Sequence, residues 1–196
     1  MIDQISWVLF SIPSLLVAAA VHEYAHARVA YALGDDTARM NGRMTLNPIA
    51  HIDPIGALMM VLVRFGWSKP VPVNEYNFKN PVTGTALTSL AGPISNLILA
   101  ALTAIPLRIV LSGFTEATEN ISSNYLFVVL LTFRPVHLSL AVFNLLPIRP
   151  LDGHKIVRAL RPHSLRYYWE RREQYGIWIL LLFFLPISPL YQITIG

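Results

Sequence analysis

Cysteine is absent from this chain of 196 residues, and charged side chains are scarce, at 13% of positions. Without cysteine the chain forms no disulfide and offers no thiolate to a metal, so any metal ion must be held by histidine and carboxylate groups. Hydrophobic residues make up 54% of the sequence, and the mean hydropathy is +0.50. This composition disfavours an ordinary water-soluble domain and is typical of a membrane protein with several spanning segments.

The length bounds the architecture further. Four or five spanning or half-spanning segments of about 20 residues each fit in the chain, but a sizeable extramembrane domain does not. We therefore treat residues 1–196 as a single integral-membrane domain. The formal charge is +4, but the basic residues lie beside apolar segments, where membrane orientation and anionic lipid account for them. A lipid bilayer is the expected partner and nucleic acid is not. No feature predicts an oligomeric state.

Four long apolar segments are predicted as membrane helices: residues 5–33, 85–112, 125–148 and 174–195. The first is expected to remain as an anchor, because no basic region precedes it, and to end at Gly34. The first three are expected to form the core of the protein. The last is a C-terminal membrane helix that its two prolines should kink.

Two shorter segments are predicted to lie at the membrane without crossing it. Residues 55–67 are apolar but number only about a dozen, which favours a re-entrant segment over a spanning one. Residues 38–46 alternate about the pair Asn41-Gly42, which predicts a small interfacial β-hairpin. Such a hairpin could offer a strand edge to an extended substrate.

The connections between the helices predict an orientation. Residues 149–173 contain seven Lys and Arg residues, whereas residues 113–124 contain two glutamates and no base. Because basic loops stay on the cytoplasmic side, the first connection is predicted to be cytoplasmic and the second external.

The sequence His22-Glu23-Tyr24-Ala25-His26 lies inside the first apolar segment, where ionisable groups are costly. Residues i and i+4 share one face of a helix, so His22 and His26 can bind one metal ion. Glu23 can then reach a water molecule on that ion. The pattern predicts a metal site buried in a membrane.

Two histidines leave a catalytic zinc one protein ligand short of the usual three. The candidates for the third ligand are Asp53, Glu75, His137, Asp152 and His154. Asp152 is favoured, because Pro147 and Pro150 should unwind the end of the third long segment at the depth of the histidines. The alternative, that Asp152 only caps a helix starting near Gly153, has about equal weight on these grounds.

Several separated motifs resemble the site-2 protease family of intramembrane zinc metalloproteases. They are His22-Glu23-x-x-His26, Ala91-Gly92-Pro93-Ile94-Ser95-Asn96, Asn144-x-x-Pro147 and Leu151-Asp152-Gly153. Residues 47–54 are similar to the minimal bacterial and archaeal branch of that family, which lacks accessory domains. The resemblance covers almost the whole chain. His154 departs from it, standing where a second glycine is common, and so does His137, standing where asparagine would be unsurprising.

The resemblance implies an all-α polytopic membrane protein with one Zn²⁺ per chain. It implies that His22, His26 and Asp152 hold the zinc and that Glu23 is the general base. The implied substrate is a transmembrane protein or peptide. The implied location is a prokaryotic cell membrane, and the charges of the connections place the active site towards the cytoplasm.

Two asparagines have other roles in this interpretation. Asn144 could donate its amide to the substrate carbonyl or backbone, and an interhelical hydrogen bond is about as good an account of it. Asn96 follows small residues that allow close helix packing, so we expect it to clamp two helices together.

Two other classes of function remain open. The protein could bind zinc without hydrolysing anything, as a metal transporter or as a scaffold for transmembrane helices. It could also be a membrane hydrolase of lipids or small amides. Glu23 argues against the first, because metal binding alone does not need a carboxylate that is not a ligand.

Overall fold

The computed structural model describes residues 4–63, 66–112, 125–161, 175–176 and 178–180. Within these residues the chain is helical and contains no β-strand, which confirms the helical class. Its helices are α1 (Gln4–Ala32), α2 (Thr37–Met40), α3 (Pro54–Val63), α4 (Pro81–Ser112), α5 (Tyr125–Asn144) and α6 (Asp152–Leu160). Two short 3-10 turns, Pro48–His51 and Glu75–Asn77, lie between α2 and α4.

The three long helices α1, α4 and α5 pack against one another as a bundle, and α6 packs against α4. Small residues line the contacts: Ala18, Ala27 and Ala30 of α1 and Ala141 of α5 are all 0% exposed. Small side chains let helix backbones approach closely, which is how helices associate in a lipid environment. The three-helix core expected from the sequence is therefore present.

The ends of these helices follow local signals in the sequence. After α1, Gly34 adopts a φ of +106°, and the N–H of Asp35 donates to the carbonyl of Ala30 at 2.9 Å. This left-handed cap ends the helix at the predicted glycine. Helix α5 ends at Asn144, shortly before Pro147, whose ring and missing N–H disfavour a further helical turn.

The predicted β-hairpin at residues 38–46 is wrong. The structure has the short helix α2 there, followed by a turn in which the N–H of Arg43 donates to the carbonyl of Ala38 at 2.8 Å. Gly42 has a φ of +64°, and the Asn41 side chain donates to the carbonyl of Thr37. The Asn-Gly pair thus ends a helical turn instead of joining two strands, since glycine in the left-handed conformation serves both purposes.

Helix α3 occupies most of the segment predicted to be re-entrant. Its 10 residues span about 15 Å, half of the roughly 30 Å apolar core of a bilayer. The side chain of Asp53 accepts a hydrogen bond from the N–H of Gly56 at 2.8 Å and so caps its first turn. A helix of this length is too short to cross a membrane. The predicted C-terminal membrane helix, by contrast, lies almost entirely outside the described residues.

Large apolar side chains cover the outer face of the bundle. On α4 they recur at helical spacing and are between 42% and 60% exposed: Leu87, Ile94, Ile98, Leu102 and Ile105. On α5, Leu138 and Val142 are similarly exposed. Among the described residues, one helical stretch, Pro81–Ile105, is long and apolar enough to cross a membrane. In water such a stripe would be an aggregation-prone surface.

Candidate metal centre

Three buried side chains meet at one end of the bundle. His22 and His26 lie one turn apart on α1, and Asp152 begins α6. The Asp152 Oδ2 atom is 2.9 Å from His22 Nε2 and 3.1 Å from His26 Nε2. One ligand atom from each residue lies within 4.8 Å of the others, and the three residues are between 5% and 8% exposed. In the part of the chain described, this is the only such group that could hold a metal ion.

The helix break after α5 places Asp152. The backbone turns at residues 145–151, and the N–H of Leu151 donates to the carbonyl of Ile148 at 2.9 Å. A Cβ on Gly153 would lie 2.1 Å from the carbonyl oxygen of Leu145, so only glycine lets α6 start this close to the end of α5. Among the described residues, no side chain caps the start of α6. The Asp152 carboxylate faces the histidines instead, which disfavours the helix-cap alternative.

The second nitrogen of each histidine ring is held by α4. The Nδ1–H of His26 donates to the carbonyl of Thr88 at 2.6 Å, which leaves Nε2 free of its proton and directed at Asp152. The amide of Asn96 lies 3.1 Å from His22 Nδ1. As placed, Asn96 Oδ1 is buried and has no hydrogen-bond partner among the described residues. If the oxygen and nitrogen of the Asn96 amide exchange places, Oδ1 accepts a hydrogen bond from the Nδ1–H of His22. Hydrogen-bond partners decide which of the two atoms is the oxygen. Both rings then have the outer hydrogen bond that is usual for metal-binding histidines.

Gly92 of α4 leaves room in front of the ring nitrogens. A Cβ at this position would lie 2.5 Å from His26 Nε2 and 2.6 Å from His22 Nε2. Any side chain there would crowd the ring nitrogens that would bind an ion. The residues present therefore fit a metal ion, and a donor set of two imidazoles and one carboxylate is one that catalytic zinc uses.

Charge at the site also suits a cation. With the ring protons on the outer nitrogens, each Nε2 presents a lone pair to the Oδ2 atom of Asp152. Three acceptor atoms facing one another in this way suit a cation held between the two rings and Asp152. Its other oxygen, Oδ1, lies 3.5 Å from Lys155 Nζ.

Glu23 is buried beside the ligands, at 7% exposure. Its carboxylate accepts a hydrogen bond from Ser68 Oγ at 2.8 Å and another from the N–H of Val71 at 3.0 Å. These donors belong to an extended segment between α3 and α4. Neither donor was predicted from the sequence, although the alternating prolines Pro70 and Pro72 indicate an extended segment there.

The other candidate residues are not members of the cluster. Asp53 caps α3, Glu75 pairs with Arg158, and His137 donates from Nδ1 to the carbonyl of Phe133 on its own helix. His154 is buried in the first turn of α6. Asn144 lies at the last turn of α5, and its amide donates to the carbonyl of Leu140 at 2.9 Å.

Comparison with known proteins places the chain in a family. The family model described as peptidase family M50 matches residues 10–187. YwhC of Bacillus subtilis (strain 168), which is named as a zinc metalloprotease, is 38% identical over 193 residues, covering 95% of this chain and 84% of YwhC. Rip2 of Mycobacterium tuberculosis (strain ATCC 25618 / H37Rv), named in the same way, is 30% identical over 176 residues, covering 87% of this chain and 65% of Rip2. No solved structure matches the chain.

A family match over nearly the whole chain agrees with the resemblance noted in the sequence. The chain belongs to peptidase family M50, the site-2 protease family of zinc metalloproteases.

Proposed function

We propose that this protein is an intramembrane zinc endopeptidase that hydrolyses peptide bonds in the transmembrane segments of other proteins. The observation that carries the proposal is the buried cluster of His22, His26 and Asp152 beside Glu23, at one end of an apolar helical bundle. The relatives named as zinc metalloproteases support the chemistry. In this proposal residues 1–196 act as one integral-membrane domain.

The outer surface of the bundle supports a membrane location. The apolar stripe on α4 and the exposed Leu138 and Val142 on α5 would be solvated by lipid chains. We place the protein in a prokaryotic cell membrane as a multi-pass protein, with α3 entering the bilayer only part of the way. Helix α1 runs towards the metal cluster, α4 runs away from it, and α5 runs back towards it. The cluster therefore lies at the end of the bundle where α5 leads into the basic residues 149–173. Because basic connections stay inside, the active site faces the cytoplasmic side.

Each residue of the proposed zinc site has its own role. His22, His26 and Asp152 would hold the zinc, with Asn96 and the Thr88 carbonyl fixing the ring orientations through the outer nitrogens. A zinc ion held there supplies Lewis acidity and a water molecule acidic enough to be deprotonated near neutral pH.

Glu23 would carry the proton transfer. Its carboxylate takes a proton from the attacking water, whose oxygen forms a bond to the carbonyl carbon of the substrate. The same proton then passes to the amide nitrogen as the C–N bond breaks, giving a new carboxyl and a new amino terminus. No covalent enzyme intermediate is needed.

Asn144 is proposed as a substrate contact. It lies in the last turn of α5, where the chain leaves the helix ahead of Pro147. Its amide donates to the carbonyl of Leu140 at 2.9 Å, so it must turn away from its own helix to donate to a substrate carbonyl.

The variant Glu23→Gln tests the proposed function. The zinc-loaded full chain is reconstituted in liposomes with a reporter peptide that has one apolar transmembrane segment. The matched control is Glu116→Gln, in the connection predicted to lie on the other side of the membrane. Glu23→Gln should keep its zinc and lose at least about 100-fold in cleavage rate, because it removes the base, while the control is unchanged.

Other outcomes would point to the rival functions. Cleavage at the wild-type rate by Glu23→Gln, or by protein stripped of metal, would contradict the proposal. A zinc-loaded wild type that cleaves no transmembrane peptide would favour a transporter, a scaffold or a hydrolase of smaller molecules.

A further inference from the structure

Both oxygens of the Glu23 carboxylate are held by one extended segment, residues 66–73. Ser68 Oγ donates to Oε1 at 2.8 Å, and the N–H of Val71 donates to Oε2 at 3.0 Å. We infer that Ser68 is a positioning residue which, together with the Val71 amide, aims Glu23 at the reacting water. The inference rests on the proposed function, because it assigns a role to the partners of the proposed base.

The segment is anchored independently of Glu23. The N–H of Lys69 donates to the carbonyl of His51 at 2.8 Å, and Ser68 forms an antiparallel bridge with Ile52. The guanidinium of Arg43 donates to the carbonyl of Lys69 at 2.6 Å. These contacts come from the connection between α2 and α3, so the positions of the two donors are set without the glutamate.

Contacts beyond the segment fix its other end. The buried carboxylate of Asp35, just after α1, accepts hydrogen bonds from the N–H of Asn74 at 2.8 Å and from the amide of Asn77 at 2.7 Å. Glu75 pairs with Arg158 of α6. The chain that follows the segment is therefore tied to Asp35, just after α1, and to α6, and α1 and α6 carry the proposed metal ligands.

A held carboxylate suits a general base. A glutamate side chain has several rotatable bonds, and the base must lie within hydrogen-bond reach of the proton that it removes. An ionised carboxylate has about four lone-pair sites, so two donors leave each oxygen able to accept a further hydrogen bond from water. Because Ser68 acts on Glu23, its loss should lower kcat and leave KM and zinc content unchanged.

The kinetic test compares Ser68→Ala, Ser68→Thr and Thr103→Ala in the zinc-loaded full chain with the transmembrane reporter. Thr103 is the control, because its hydroxyl bonds to the carbonyls of Leu99 and Ala100 on its own helix. Ser68→Ala should lower kcat by about tenfold. Misplacing a reacting group by 1 Å can cost about 100-fold, and the Val71 amide still holds the other oxygen of Glu23 in this variant. Ser68→Thr keeps the hydroxyl and should restore kcat to within about twofold of the wild type.

Hydrogen exchange gives a readout that does not depend on activity. Pro70 and Pro72 have no N–H, so residues 66–73 carry six backbone amides, and among them the N–H of Val71 is bonded to Glu23. Glu23→Ala removes its acceptor and should speed exchange in a peptide covering residues 66–73, whereas Thr103→Ala should not.

Three results would overturn the inference. The first is an unchanged kcat in Ser68→Ala, and the second is a higher kcat in that variant, which would mean that the segment inhibits the enzyme. The third is unchanged hydrogen exchange in Glu23→Ala. Failure of the proposed function is distinguishable from these. It would appear as a zinc-loaded wild type that cleaves no transmembrane peptide, whatever the exchange experiment gives.

Discussion

Gly92→Ala should displace the zinc ligands. The added Cβ would lie 2.5 Å from His26 Nε2 and 2.6 Å from both Nε2 and Cε1 of His22, against an ordinary contact distance of at least 3.4 Å. The rings must therefore move by nearly 1 Å, whereas ligand distances in a metal site hold to about 0.2 Å. We expect zinc affinity to fall by at least about tenfold to 100-fold, the loss seen when ligand orientation is disturbed.

The assay is a zinc titration of the purified protein against a competing chelator, with cleavage of the transmembrane reporter measured in parallel. Gly42→Ala is the matched control, since nothing lies within 4 Å of a Cβ there. Its positive φ makes alanine cost about 1 kcal/mol of stability, but zinc affinity should not change. Zinc affinity within twofold of the wild type in Gly92→Ala would refute the reasoning about the space in front of the histidines.

Two further predictions concern the partners of the site. Asn96→Ala should weaken zinc binding by about 10-fold to 100-fold, because His22 loses its outer hydrogen bond. Asn96→Asp keeps an acceptor for the Nδ1–H of His22 and should stay close to the wild type in the same chelator titration; equal losses in both variants would contradict the turned amide. Burial acts to raise the pKa of Asp35, but hydrogen bonds from Thr37, Asn74 and Asn77 outweigh it and lower that pKa. A lowered pKa contributes stability that is present above the unfolded value of about 3.9 and is lost as the pH falls through the folded value. The temperature of thermal unfolding between about pH 2 and 6 should therefore depend less on pH in Asp35→Asn than in the wild type. An equal pH dependence in the two proteins would contradict the lowered pKa of Asp35.

Local signals in the sequence predicted much of the framework. The apolar length of α1, its end at Gly34 and the helix break at Pro147 each depend on residues close together in the chain, and the structure has all three. The spacing of His22 and His26 likewise follows from helical geometry alone.

Features that depend on distant pairing could not be predicted in the same way. Glu23 and its donor Ser68 are 45 residues apart, and the contact between Asn96 and His22 spans 74 residues. No local sequence pattern at either residue of these pairs identifies its partner. The Asn41-Gly42 pair was misleading for a different reason, because a left-handed glycine ends a helix as readily as it turns a hairpin.

X-ray absorption at the zinc edge tests the proposed ligand set most directly. We expect one zinc per chain in the wild type, with two imidazole nitrogens and a carboxylate oxygen at about 2.0–2.2 Å. Asp152→Ala should lose the zinc or bind it without that oxygen, while the control Asp36→Ala, at an exposed pair with Arg39, keeps the wild-type spectrum. An unchanged spectrum and full zinc content in Asp152→Ala would contradict the assignment of these three ligands.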